Sequence, residues 1–241
     1  MSVEPTNTHV RIRFSKAGRV RFVSHRDVAR LFERALRKLH LPVAYSEGFS
    51  PRPKISFGLA LTVAHESEAE YLDVELTEPI DLEALPSALT DALPQGMAAE
   101  AVIEIERRTP SLQQSIVSCH WSIEVLGATM PEITSRIDAT LAAAELPQER
   151  ERKGKTTVAD VRPAILDLEI VGPTSDGVEL RAHLGTESVS LRPTELVHVL
   201  DPAYREGRVR RTHQWIIVDG ARCEPVSPPG SSTRHDLLRA S

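Results

Sequence analysis

The chain has little cysteine, few aromatics and no long apolar run. Cys119 and Cys223 are its only cysteines, too few for a disulfide framework, and they fit a reducing compartment. Aromatic residues make up 4% of the 241 positions. No segment approaches the ~18 apolar residues of a membrane span, and the opening MSVEPTNTH has no signal-peptide core. These features predict a soluble cytoplasmic protein with no membrane contact. The glycines are scattered, so a Walker loop and a GxGxxG fingerprint are both missing. His and Cys lack metal-ligand spacing, which argues against a zinc or iron–sulfur site and predicts no metal and no cofactor on this chain.

What is present is ordinary globular material, 41% hydrophobic and 26% charged. A chain of this length makes one large domain or two small ones and can bury roughly 70% of its unfolded surface. The net charge of −5 hides a strong polarity. Residues 1–58 carry twelve Lys/Arg and four Asp/Glu, whereas residues 59–109 carry two and twelve. Further basic islands lie at 148–163 and 208–211. Charge runs usually mark solvated faces, but a local excess of +8 in an acidic chain points to an anionic partner. Glu70, Asp73 and Glu75, in the acidic block, read as a solvated strand face.

The hydrophobic periodicity gives strand, helix, two strands, helix, strand, and then a similar order again. His9 to Ser15 alternates as a half-buried strand, and the pattern resumes at Val20 and Phe22. Ser24 opens a helix, with Asp27 completing a capping pattern. Val28, Leu31, Phe32, Ala35, Leu36 and Leu39 share one helix face; Arg26, Arg30, Arg34, Arg37 and Lys38 fall on the other. Ile55 to Val63, Tyr71 to Thr77 and Ala101 to Arg107 read as strands, with a helix at 81–93. Strands at 119–126, 158–171, 178–184 and 208–218 and helices at 131–145 and 193–200 follow. The expected fold is α+β: two tandem ferredoxin-like (β-α-β-β-α-β) units with antiparallel sheets, at 8–109 and 115–222. Residues 224–241 are Pro/Ser/Gly-rich and read as a disordered tail.

The most unusual segment is the connection over 42–54. Tyr45, Ser46, Phe49, Arg52 and Lys54 put hydroxyls, aromatics and cations on a proline-stiffened loop, either a crossover with Phe49 tucked into the core or a binding element. In the second case Arg52 and Lys54 meet phosphates while Tyr45 or Phe49 stacks on a base. Ser24 and Asp27 read as helix caps. His25, in the first helical turn, is a phosphate ligand, a general acid/base or an ordinary surface histidine. Cys119, on an alternating strand, reads as a small core residue.

The first 61 positions resemble a known family through Phe14-Ser15-Lys16-x-Gly18, Arg21-Phe22-x-Ser24-His25-x-Asp27 and Arg34-Ala35-x-Arg37. The string continues as Pro42-x-x-Tyr45-Ser46-x-Gly48-Phe49-x-Pro51-x-Pro53-Lys54, and weaker similarity around Arg152-Lys153-Gly154 and Asp160–Pro163 extends to about residue 211. This is the radical-SAM-linked bacterial domain of unknown function, fused to or encoded beside cobalamin-binding-type radical SAM proteins. The resemblance implies a radical SAM partner that carries the iron–sulfur cluster and SAM itself. One departure is Arg52, where histidine is common in the family.

The leading expectation is a non-catalytic accessory protein that binds structured RNA (tRNA or rRNA) for a separate radical SAM enzyme. The expected RNA contacts are Lys16, Arg21, His25, Arg26, Arg30, Arg34, Arg37, Tyr45, Ser46, Phe49, Arg52 and Lys54. The track continues through Arg152, Lys153, Lys155 and Arg162 to Arg208, Arg210 and Arg211, forming one electropositive trough. The alternatives are a metal-independent RNA endonuclease using His25, Tyr45 and Lys54, and a purely protein-binding subunit of a radical SAM complex.

Overall fold

The computed structural model describes residues 7–152, 154–187 and 189–226. Its first half runs β1 (Thr8–Lys16), a 3-10 turn (Gly18–Phe22), α1 (His25–Lys38), β2 (Ile55–Phe57), β3 (Glu66–Leu76), α2 (Leu85–Ala92) and β4 (Met97–Ile105). A short α3 (Leu112–Ser115) leads into β5 (Ile116–Leu126), α4 (Met130–Ala142), β6 (Pro147–Arg152) and β7 (Lys155–Asp160). The chain then forms β8 (Ile165–Pro173), β9 (Gly177–Gly185), α5 (Pro193–Leu200), β10 (Arg205–Val218) and β11 (Ala221–Cys223).

The fold is mixed α+β around one large sheet of order β4-β1-β3-β10-β5-β9-β8, in which the pairings are antiparallel except β3 with β10. β2 adds to β3 and β11 to β10, while β6 and β7 form a separate hairpin. Within each half the strands take the same relative places, β4-β1-β3-β2 and β10-β5-β9-β8. Two apolar clusters form the interior, one within the first half and one centred on the second half that also takes in Leu61, Ala69, Tyr71 and Ala101. Ile12, Phe14, Phe32, Leu72 and Leu89 fill the first; Ile123, Ile133, Leu180, Leu184 and Leu196 fill the second.

Several sequence expectations are corrected. Val20 and Phe22 lie on a 3-10 turn, not a strand. Ile55 to Val63 shrinks to the three residues of β2. The strand expected over 158–171 is split into β7 and β8 by a 3-10 turn at Arg162–Ala164, where Pro163 cannot donate to a ladder. The tail expected over 224–241 lies outside the described residues from 227 onward. Its first residues are packed: Glu224 and Val226 are buried, and Glu224 accepts from Arg13 Nη1 at 2.7 Å.

The halves meet at a short parallel pairing, Arg210 and Arg211 beside Glu66 and Ser67. Charge completes the seam. Arg211 Nη2 lies 2.9 Å from Glu70 Oε1 and its guanidinium sits 5.1 Å from the Trp121 ring centroid, with both charged groups buried. Arg208 and Arg210 reach Glu66 and Glu68, and His65 Nε2 meets Glu206 at 3.2 Å. The acidic block and the basic island at 208–211 therefore neutralise one another.

Candidate nucleic-acid interface

α1 starts where the sequence places it. Ser24, extended at φ −67°, accepts the Asp27 N–H at 3.2 Å and donates to Asp27 Oδ2 at 2.7 Å. Those hydrogen bonds, the one from Ser24 first and then that from Arg30, hold the Asp27 carboxyl below its ordinary range. Val28, Phe32, Ala35 and Leu36 are buried. On the opposite side Arg26, Arg30, Arg34 and Lys38 follow at four-residue spacing, all exposed, with Arg37 beside them. Arg30 pairs with Asp27 at 2.9 Å with both side chains more than half exposed, a geometry of little energetic weight. Among the described residues the Arg26, Arg34, Arg37 and Lys38 side chains have no hydrogen bond or salt bridge. Like charges at i,i+4 destabilise a helix by a few tenths of a kcal/mol per pair, so this ridge is an intramolecular cost awaiting an anion.

The connection after α1 is a tongue. Ser46 N–H donates to Arg52 O, and Lys54 N–H donates to Ala44 O; Ala44 N–H in turn anchors the tongue to Glu75 O of β3. The Ser46 hydroxyl accepts the Arg52 N–H at 3.0 Å, a role internal to the tongue. Gly48, at φ 118°, turns the tip, a conformation that side-chain-bearing residues rarely adopt. Phe49 at that tip is fully exposed, which corrects a Phe49 tucked into the core. Tyr45 is half-exposed, and Phe22, with the Arg21 guanidinium 4.6 Å from its ring centroid, stands out just before α1.

The single continuous trough does not form. Lys16 is buried and donates to Arg21 O and Val23 O, fastening the 3-10 turn; burial pushes its ammonium pKa down, with Glu70 opposing. Arg21 lies 3.7 Å from Glu66, Lys54 pairs with Glu75 at 2.9 Å, and Arg208, Arg210 and Arg211 are held in the seam. Burial alone would raise the Glu66 pKa, but Gly18 N–H and Arg208 hold it below the ordinary value. Arg162 donates to Ile165 O and to Leu141 O in the last turn of α4, a structural cap. The side chains of Arg152, Lys153 and Lys155 lie outside the described residues. Glu70, Asp73 and Glu75, expected as a solvated face, are partnered by Arg211, Arg11 and Lys54.

His25 opens α1 and meets the Phe57 ring edge at 5.4 Å between centroids, beside a cavity also lined by Phe14, Lys16 and Glu70. Tyr45 lines a different hollow at the far end of α1, and Lys54 is taken by Glu75. The trio of an endonuclease is not assembled. Cys119 is a buried core residue whose thiol pKa burial raises.

Sequence reasoning missed two groups. One is the hollow between α1 and the tongue, whose floor residues alternate around Pro53 without forming a motif. The other crosses three strands. The His120 and His183 rings lie 4.1 Å apart, His213 stacks parallel to Trp215, and Trp215 Nε1 donates to His120 Nδ1. The outward positions of β5 were its only trace. Among the described residues no group of three or more His, Cys, Asp or Glu is arranged to hold a metal ion. None of their helices is long and apolar enough to cross a membrane.

Residues 9–193 match the family described as "uncharacterized protein conserved in bacteria" (DUF2344). The chain is a member of that family. No curated protein matches it. Among solved structures it is similar to a chain of the "Cbf5-Nop10-Gar1 Complex", with TM-score 0.50 and 11% identity over 85% of this chain. It spans 48% of that chain's length, and the likeness concerns the fold. An "Unknown Protein from Galdieria sulphuraria" is covered over 99% of its length at 15% identity, with a TM-score of 0.26 that carries no argument.

Proposed function

We propose that this chain is an accessory protein that holds structured RNA on the outer face of α1 and the adjoining tongue. The observation that carries the reading is the exposed row Arg26, Arg30, Arg34 and Lys38, in which, among the described residues, Arg26, Arg34 and Lys38 enter no salt bridge. Phe22, just before α1, and Phe49, at the tongue tip, are exposed and offer apolar surface suited to unstacked bases. The expected footprint is shorter than a track across both halves, because the seam arginines are already paired. The shared strand order of the halves supports reading them as tandem ferredoxin-like units. A radical SAM partner supplying cluster and SAM completes the reading, on the resemblance of residues 14–54.

Immobilised protein should retain cellular RNA at low salt. With about five phosphates neutralised, log K should fall with log salt at a slope of roughly −3 to −4, at ~0.7 per contact on single strands. The triple substitution Arg26→Ala, Arg34→Ala, Lys38→Ala should lower affinity at least tenfold with an unchanged circular dichroism spectrum. Failure of the wild-type protein to retain RNA at low salt overturns the proposal. Capture of a radical SAM protein from RNase-treated, high-salt lysate, with no RNA binding, would replace it with the protein-binding reading.

A further inference from the structure

We infer that the hollow between α1 and the tongue is a pocket for one unstacked nucleobase with an amino-bearing edge. The inference rests on the RNA reading above and adds which part of the RNA is read. The hollow has a volume of about 220 Å³ and opens to solvent. Sites that bury a whole drug-sized ligand measure roughly 300–1,000 Å³, so this one suits a single planar ring system. Leu36, Val43, Pro53 and Ile55 give it an apolar floor, and the half-exposed Tyr45 stands as an aromatic wall.

Charge selects the occupant. Glu33 and Arg37 are four residues apart on α1, the spacing at which such residues pair, yet no salt bridge joins them. Both line the hollow instead. Arg37 also adjoins the cationic row through Arg34 and Lys38, so it can meet the phosphate of the nucleotide whose base is inserted. A carboxylate only accepts hydrogen bonds. Glu33 therefore favours guanine, which offers adjacent N–H donors on one edge, and disfavours uracil, whose single donor sits between two carbonyl oxygens. The wall is preset, because the tongue is closed by two rungs of backbone hydrogen bonds before any ligand arrives. His40, which closes the end of the hollow, is held at φ 53° where α1 terminates. Its N–H donates to Arg37 O and the next N–H, of Leu41, to Leu36 O.

The test uses the full chain and four RNAs: a hairpin with one guanine presented in its loop, the same hairpin with uracil or an abasic residue there, and a blunt duplex. Wild-type protein should bind the guanine hairpin tighter than the abasic one by about 5- to 150-fold, the worth of one stacked base. Tyr45→Leu should erase that margin and leave duplex affinity unchanged. Glu33→Gln should shrink the preference for guanine over uracil while leaving the duplex unaffected. Equal affinity for all three hairpins, or a Tyr45→Leu variant indistinguishable from wild type, overturns the pocket while the cationic row still stands. Absence of binding to every RNA overturns both readings.

Discussion

At Ala64 the backbone sits at φ 74°, a region where a Cβ crowds the following carbonyl. The residue is exposed and its N–H donates to Arg21 O, so the chain is held there by its neighbours and not by its own preference. Ala64→Gly should relieve a strain of about 1–2 kcal/mol and lose part of it to unfolded-state entropy, a net gain of about 0.5–1 kcal/mol. A denaturant midpoint that falls in this variant would show the conformation to be unstrained. Asp219 and His40 also sit at positive φ, and His40 borders the inferred base pocket, where strain is tolerated for function.

On the scale of single elements, α1 combines a strong start with an unfavourable surface. Ser24 supplies the start, and its replacement by alanine should cost about 1 kcal/mol and let the Asp27 carboxyl titrate nearer its ordinary value. Thermal unfolding and an NMR titration of Asp27 check both; no change at Asp27 on removing Ser24 would mean that Arg30 and Arg26 set its charge. The cap was legible in the sequence because Ser-x-x-Asp is a local pattern. So was the cationic row, since helical spacing alone brings Arg26, Arg30, Arg34 and Lys38 into line. The tongue was legible only as a stiff loop. Its rungs pair residues on either side of a glycine turn, and the anchor at Glu75 comes from a strand that no local pattern connects to it.

Across the whole molecule, burial on the sheet decides how His120 and His183 titrate. Burial, reinforced by the charges of His183 and His213, lowers His120 to a pKa of about 3; burial and then Arg222 lower His183 to about 4. Well above pH ~6.5 both rings are neutral folded and unfolded, and they add no pH dependence. As the pH falls from about 6.5 toward 4, the unfolded chain takes up protons that the folded chain refuses, so stability drops with decreasing pH. The double variant His120→Gln, His183→Gln should flatten the fall in melting temperature between pH 6.5 and 4. Parallel curves for variant and wild type would place the acid sensitivity elsewhere. The seam works at the same scale. Arg211 and Glu70 are taken from water together, so either alone would leave an uncompensated buried charge.

Periodicity and spacing determined the alternation of strands and helices, the cap of α1 and the cationic face, since each depends on residues within a few positions of one another. The sequence also put +8 next to −10, but it could not say where those charges would go. Only the tertiary structure decided that Arg208, Arg210 and Arg211 face Glu66, Glu68 and Glu70 across the meeting of two half-sheets. Other tertiary contacts, to the Arg21 and Val23 carbonyls and to Glu75, took Lys16 and Lys54 out of any binding track, while the α1 row stayed exposed. Pairing between residues some 140 positions apart depends on which strand edges meet, and that is settled by burial of two apolar clusters, one of which spans the seam, not by local pattern.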